Sequence, residues 1–280
     1  MKILYGVQGT GNGHIARARI MAAAMAERDD IEVDFVFSGR AADDYFDMEC
    51  FGEYRTFSGL TFATRKGQVS QWETLKNAKP LQLYRDIRQL DVSGYDLLLN
   101  DFEPVTAWAA RRQGLPSISV SHQAAFSHDI PRASEHFTDK LIMRSFAPTD
   151  IQLGVHWFHF EKPIVPPFIT DKPAPHPANS HTLVYLPFEE LDDIQLLLEP
   201  LTEQHFVCFH PKVKQQHTQG HIEWHPPSKP GFRHALQHCS GVISNGGFEL
   251  ASESLQLKKK LLIKPLNGQF EQLSNLKTLM

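Results

Sequence analysis

Asn245-Gly246-Gly247 interrupts the chain between two regular stretches, and the residues around it have the types of a phosphate cradle. Gly241-Val242-Ile243-Ser244 is short, apolar and β-branched, which reads as a buried strand. Phe248 to Leu257 then reads as a helix. Glycines between a strand end and a helix start leave backbone N–H groups bare and pointing one way, and the helix dipole adds partial positive charge. Such a turn suits a diphosphate. Glu249 and Glu253 lie four apart on one face of that helix, where a carboxylate can accept from the vicinal hydroxyls of a ribose or a hexose. Leu261-Leu262-Ile263 reads as the next buried strand, ending at Pro265, with Asn267-Gly268-Gln269, Glu271 and Gln272 at its tip. In open α/β sheets, ligands sit beyond the strand tips. Amides and acids converging beside a phosphate cradle describe a nucleotide-sugar pocket. Its candidates are Asn245, Gly246, Gly247, Glu249, Glu253, Gln269, Glu271 and Gln272.

A second constellation opens the chain. Lys2 to Val7 reads as a strand, QGTGNGH from Gln8 to His14 as a glycine-rich turn, and Ile15 to Arg28 as a helix. That is the layout of a phosphate loop, so Gly11 and Gly13 join the donor-binding candidates. The pattern G-x-G-x-G-H is not the dinucleotide fingerprint, and the next strand, Ile31 to Phe37, ends in Ser-Gly-Arg without an acid for a ribose. His14 sits at a helix N-terminus, whose partial positive charge favours the neutral ring and hence a base. Asp101 follows the strand Tyr95 to Leu99. It has two possible jobs: to hold the other imidazole nitrogen and fix the tautomer, or to cap the helix Pro104 to Arg112. Glu103 is a second candidate acid. His122 and Gln123, at the tip of the strand Pro116 to Ser121, are candidates for the acceptor side. Arg65 and Lys66, in the polar loop Thr61 to Ser70, read first as a solvated loop and second as contacts for an anionic acceptor.

Together these motifs resemble a known family. Gly246-Gly247, Glu253, an apolar strand ending in Pro265, then Gln269, Gln272 and Asn275 are similar to the donor-binding signature of GT-B glycosyltransferases, above all the peptidoglycan N-acetylglucosaminyltransferase group. The resemblance implies that the glycine pair sits by the donor phosphates. It also implies that Glu253 holds the ribose, and that Gln269, Glu271 and Gln272 hold the sugar hydroxyls. The GxGxGH turn resembles that of inverting members, in which the histidine takes the proton of the acceptor hydroxyl. Related plant enzymes pair it with an aspartate, here Asp101. The implied activity is transfer of a sugar with inversion from a nucleotide-sugar, a UDP-sugar first, to an acceptor hydroxyl on a glycan, lipid or small molecule, with no cofactor and no metal. The sequence departs from the family in three places. YLPFEE (Tyr185 to Glu190) lacks the Gly-Ser turn, Lys258-Lys259-Lys260 replaces Gly-Lys-Pro, and Met280 comes one helix after the donor motif, so an incomplete donor domain is expected. A nucleotide-sugar 2-epimerase of the same architecture, using Glu103 or Asp101, and a non-catalytic nucleotide-sugar-binding protein are the alternatives.

The elements that must position these residues alternate strand and helix, so the fold class expected is α/β, GT-B, two Rossmann-like doubly wound domains facing across a cleft. Residues 1–165 form the acceptor-side domain, the proline-dense stretch 166–181 a linker, and 182–280 the donor domain. The 280 residues allow two domains, and 41% hydrophobic with 21% charged residues fit a globular chain. A net charge of −4 makes no case for nucleic acid. No apolar run approaches the ~20 residues of a membrane span, no leader segment precedes the first strand, and three scattered cysteines suit a reducing cytoplasm. Peripheral membrane contact through Lys258 to Lys260 stays open. His217, His221 and His225 are evenly spaced, but HIEWH alternates like a strand and has no partner at metal-site spacing, so they read as surface histidines.

Overall fold

The first strand is apolar almost throughout, and burial follows: from Ile3 to Gln8 every residue of β1 (Lys2–Gln8) is buried. Strands of this kind lie inside parallel sheets covered on both faces. In the computed structural model, which describes residues 1–10, 12–60, 64–65, 68–69, 79–133, 143–169 and 181–280, β1 is flanked by α1 (Asn12–Ala26) and β2 (Glu32–Ser38). Then follow β3 (Tyr54–Phe57), the two-residue antiparallel pair β4 (Thr64–Arg65) and β5 (Gln68–Val69), α2 (Pro80–Gln89), β6 (Leu97–Asp101) and α3 (Pro104–Gln113). β7 (Ser117–Ser121), α4 (His122–Ala125), β8 (Ile151–Val155) and β9 (Ile164–Val165) complete this part.

The chain divides into two compact units, Met1–Ala63 with Gln71–Phe168, and Thr64–Ser70 with Ile169–Met280. In the first, a parallel sheet runs β3-β2-β1-β6-β7-β8-β9. The strand order reverses between β1 and β6, so the crevice for a ligand opens at their C-terminal ends. Leu4, Val36 and Leu98 pack under Val105 and Ala109 of α3. At Gly6 a Cβ would fall 2.0 Å from Thr106 Oγ1, so only glycine lets α3 lie this close to β1.

The second unit holds β10 (His181–Tyr185), α5 (Leu191–Leu198), β11 (His205–Phe209), β12 (His217–Gln219), β13 (Ile222–His225), α6 (Lys229–His238), β14 (Gly241–Ser244), α7 (Phe248–Gln256), β15 (Lys260–Ile263) and α8 (Phe270–Leu279). Its sheet runs β12-β13-β11-β10-β14-β15, parallel except for the β12 edge. Alternation along the strands builds two cores. Val184, Phe206 and Cys208 face Ile194 and Leu198 of α5, whereas Leu183, Val207 and Phe209 face Ala235 and Leu236 of α6. The sheet is therefore doubly wound, with its order reversing between β10 and β14.

Several elements differ from the sequence expectation. The helix expected from Phe188 begins at Leu191, because Leu186 to Glu190 makes the turn out of β10. β12 was not expected: HTQ is too short and polar for a periodicity, and it forms only because β13 lies beside it. The sequence also predicts a helix over Thr74 to Leu90, kinked or begun afresh at Pro80; α2 begins at Pro80, and 71–78 lie outside the described residues. Residues 134–142 of the expected Arg132–Phe146 helix and 170–180 of the expected linker also lie outside the described residues. Among the described residues, no helix is long and apolar enough to cross a membrane.

Candidate active site

β1 ends at Gln8 and α1 begins at Asn12, so His14 stands in the first helical turn rather than ahead of it. Asp101 is the last residue of β6 and pairs in register with Val7 of β1. The two therefore meet at the switch point of the first sheet. His14 Nδ1 lies 2.8 Å from Asp101 Oδ1. A carboxylate only accepts, so Nδ1 carries the hydrogen and Nε2 keeps its lone pair. The His14 side chain is 15% exposed, enough for its ring edge to reach solvent, while Asp101 is fully buried.

The sequence reading missed Arg17. It is three places after His14 and so shares its helix face. Its Nε donates to Asp101 Oδ2 at 2.8 Å and its Nη2 to Oδ1 at 2.7 Å, a bidentate pair in the interior. Arg17 Nη2 also approaches His14 Nδ1 to 3.2 Å, a close contact of two donors that share one carboxylate. Burial by itself would push the Asp101 carboxyl up. Arg17 and His14 more than offset that, and the group lies below the usual carboxylate range. The available signal was an arginine among the alanines and isoleucines of a helix that packs on a sheet.

The two possible jobs of Asp101 divide between two acids. Glu103, not Asp101, caps α3: its carboxylate accepts from Val105 N and Thr106 N at 2.8 and 2.7 Å and from Ser38 Oγ at 2.6 Å. Glu103 is wholly buried, and burial raises its carboxyl despite those bonds. This removes it as a candidate acid, since every approach to it is filled by protein. Phe102, between the two acids, has φ +54°, a left-handed conformation that turns neighbouring side chains to opposite tasks.

His122 and Gln123, expected on the acceptor side, are buried at 1% and 6% exposure. His122 Nδ1 is 2.9 Å from the Val155 carbonyl, and its ring packs on Phe126 and His156. The strand-tip argument placed them correctly along the chain, but α4 turns them inward. His156 accepts from Trp157 N at 2.8 Å, and burial holds its ring down to about 4. A ring neutral in the fold and basic when unfolded, at the ordinary 6.5, stabilises fully above that pH and loses its contribution as pH falls toward 4. His156 should therefore contribute about 2 kcal/mol less to the stability read by urea unfolding at about pH 5 than at about pH 7.5, beside the loss from His181 and His210, whose rings burial also holds down. The His156→Gln variant should lose less over the same interval, and equal losses in the two proteins would refute the assignment.

The second unit brings the donor candidates to its own switch point. Asn245 and Gly246 leave β14, and Gly247 occupies the N-cap of α7 without a side chain to cap it. A Cβ on Gly247 would meet nothing within 4 Å, so the ground before the helix terminus is open. On Gly246 it would fall 2.9 Å from Gln272 Cβ, so this glycine admits α8. Gln272 is 4% exposed, and its Oε1 accepts from Gly246 N and Leu266 N at 3.0 and 2.8 Å. Asn275 donates to the Gly246 carbonyl at 2.9 Å. Gln272, expected to bind a sugar, thus ties the β14 turn to the β15 turn. Glu249 and Glu253 stand half-buried on one face of α7, and Glu271 is half-buried in the first turn of α8. Ser244 Oγ, Asn245 Oδ1 and Gln269 Oε1 are buried with no hydrogen-bond partner. Gly13 lies inside α1, and Gly11 is outside the described residues. Of the loop candidates, Arg65 is described only by its place in β4, and Lys66 is outside the described residues. Among the described residues, no group of three His, Cys, Asp or Glu could hold a metal ion.

An imidazole held by a carboxylate at one switch point and a glycine turn before a helix at the other, each on a doubly wound sheet, define an α/β protein of GT-B glycosyltransferase architecture. The chain belongs to glycosyl transferase family 1, whose model matches residues 1–280, and it is a glycosyltransferase. No curated protein matches it. Among solved structures it is similar to MurG of Acinetobacter baumannii, at 12% identity and TM-score 0.57, over 99% of this chain and 82% of that one. SnogD from Streptomyces nogalater matches at 13% and 0.58, over 100% and 85%. UGT2 of Phytolacca americana matches at 13% and 0.56, over 98% and 82%. At such identities these likenesses show the fold alone.

Proposed function

We propose that the enzyme transfers a sugar from a UDP-linked donor to an acceptor hydroxyl with inversion. The observation that carries this reading is the imidazole anchored to Asp101 at 2.8 Å. Its Nε2 is a base in a fixed orientation, and Asp101 stabilises the imidazolium as the proton arrives. The acceptor oxygen, losing its proton to His14, attacks the anomeric carbon from the face opposite the diphosphate. The C–O bond to UDP breaks, and the diphosphate leaves with the bonding pair. The turn before α7 offers backbone amides and the positive helix end to that leaving charge. Glu249, Glu253 and Glu271 supply acceptors for donor hydroxyls, as do the unpaired oxygens of Asn245 and Gln269. The UGT2 structure was solved with UDP-2fluoro-glucose and pterostilbene, which supports testing a UDP-sugar first.

Saturation-transfer NMR with UDP, UDP-GlcNAc and UDP-glucose tests the donor. Contact with UDP and with one of the sugars is the expected result, and no contact with any nucleotide would end the proposal. The anomeric configuration of the product, read from its proton coupling, tests inversion.

A further inference from the structure

Lys264 follows β15 directly, and its backbone N–H donates to the Ser244 carbonyl at 2.9 Å, extending the β14–β15 ladder by one bond. Glu189 lies in the turn after β10. β14 runs between those two strands. Yet Lys264 Nζ reaches Glu189 Oε1 at 2.5 Å, so the ion pair arches over the C-terminal end of β14, where Asn245-Gly246-Gly247 begins.

The two partners are unequally held. Glu189 is 8% exposed. Its N–H bonds to the Leu186 carbonyl, and its own carbonyl accepts from His210 Nε2 at 3.1 Å. His210 Nδ1 is occupied as an acceptor from Lys212 N, which leaves Nε2 as the donor. The Lys264 side chain is 53% exposed, on a flexible stem. Its contact with Glu189 is ionic without hydrogen-bond alignment. The ammonium end of the pair is open to solvent, where screening weakens its hold, so a better-placed anion can draw the ammonium away. Without Lys264, the fixed Glu189 carboxylate would repel any anion at the glycine turn. The same ground holds the unpaired, 94% buried Asn245 carboxamide oxygen and the open space before Gly247, so this edge has the features of a ligand site beyond a helix end.

We propose that Lys264 is the cation that meets the diphosphate of the donor, and that Glu189 holds it across the β14 turn until the donor arrives. The assignment rests on the nucleotide-donor reading above and adds the residue that neutralises the diphosphate. Calorimetric titration of the full chain with UDP and with uridine separates the two claims. Lys264→Met should weaken UDP at least about tenfold while leaving uridine within about twofold. Glu189→Gln should bind UDP as tightly as the parent or more so. Equal loss of UDP and uridine in Lys264→Met, unchanged UDP binding in that variant, or a matching loss in Glu189→Gln would each overturn the role of Lys264. A parent protein that binds no UDP would overturn the donor reading itself and this role with it.

Discussion

The His14→Ala variant should transfer sugar about a hundredfold to ten-thousandfold more slowly than the parent, the range by which a positioned general base accelerates a reaction. The geometry sets the expectation that kcat falls rather than donor affinity. His14 touches Asp101 and Arg17 in the first unit, whereas the donor candidates other than Gly11 and Gly13 belong to the second. UDP binding should therefore stay within about threefold of the parent. Nucleotide release from the UDP-sugar that binds, followed across a panel of acceptor alcohols, reads the rate. A variant that keeps more than a tenth of the parent rate would remove His14 as the base. His14→Gln is a useful companion, because it keeps a polar side chain toward Asp101 but cannot take the proton. It should be as slow as the alanine variant.

Replacing Arg17 by methionine should destabilise the fold by about 3–5 kcal/mol, the usual cost of stripping one partner from a buried ion pair. Asp101 is fully buried and Arg17 is 2% exposed. Removing the guanidinium leaves a carboxylate that only the edge of His14 can answer. Because Asp101 lies below the usual carboxylate range, the pair's contribution is present above the unfolded value, about 4, and is lost only as pH falls through the lower folded value. Urea unfolding near neutral pH is therefore the right measurement. The double variant Arg17→Met with Asp101→Leu should regain most of the lost stability, since neither charge then remains. It should still transfer sugar poorly, because His14 has lost the group that orients it. If Arg17→Met costs less than about 1 kcal/mol, solvent or another group satisfies Asp101. If the double variant regains activity, Asp101 has no part in the reaction.

Much of this enzyme could be read along the chain. Short apolar-rich runs such as Leu97–Asp101 and Gly241–Ser244 are buried along nearly their whole length and announce parallel strands by composition. The turns that follow them announce themselves because glycine, histidine and acids at strand tips are poor choices for a core. The two doubly wound sheets, and His14 and Asp101 at one strand-tip crevice, were within reach of those local rules, while the class of the enzyme came from the resemblance of its motifs to a family. The division of labour between neighbouring side chains was not. Whether Asp101 or Glu103 caps α3 depends on a left-handed residue at Phe102 that composition does not betray. That Gln272 braces two turns follows from the close approach of α8 at Gly246, a packing distance between segments far apart in sequence. α4 turns His122 under Phe126 and His156, so its burial too is a tertiary fact. Arg17 counts as an ordinary helix residue until Asp101, 84 positions on, closes over it. Spacing along one strand or helix fixes which face a residue takes. Its hydrogen-bond partner is set by which strands the crossovers bring side by side, and this the sheet order alone decides.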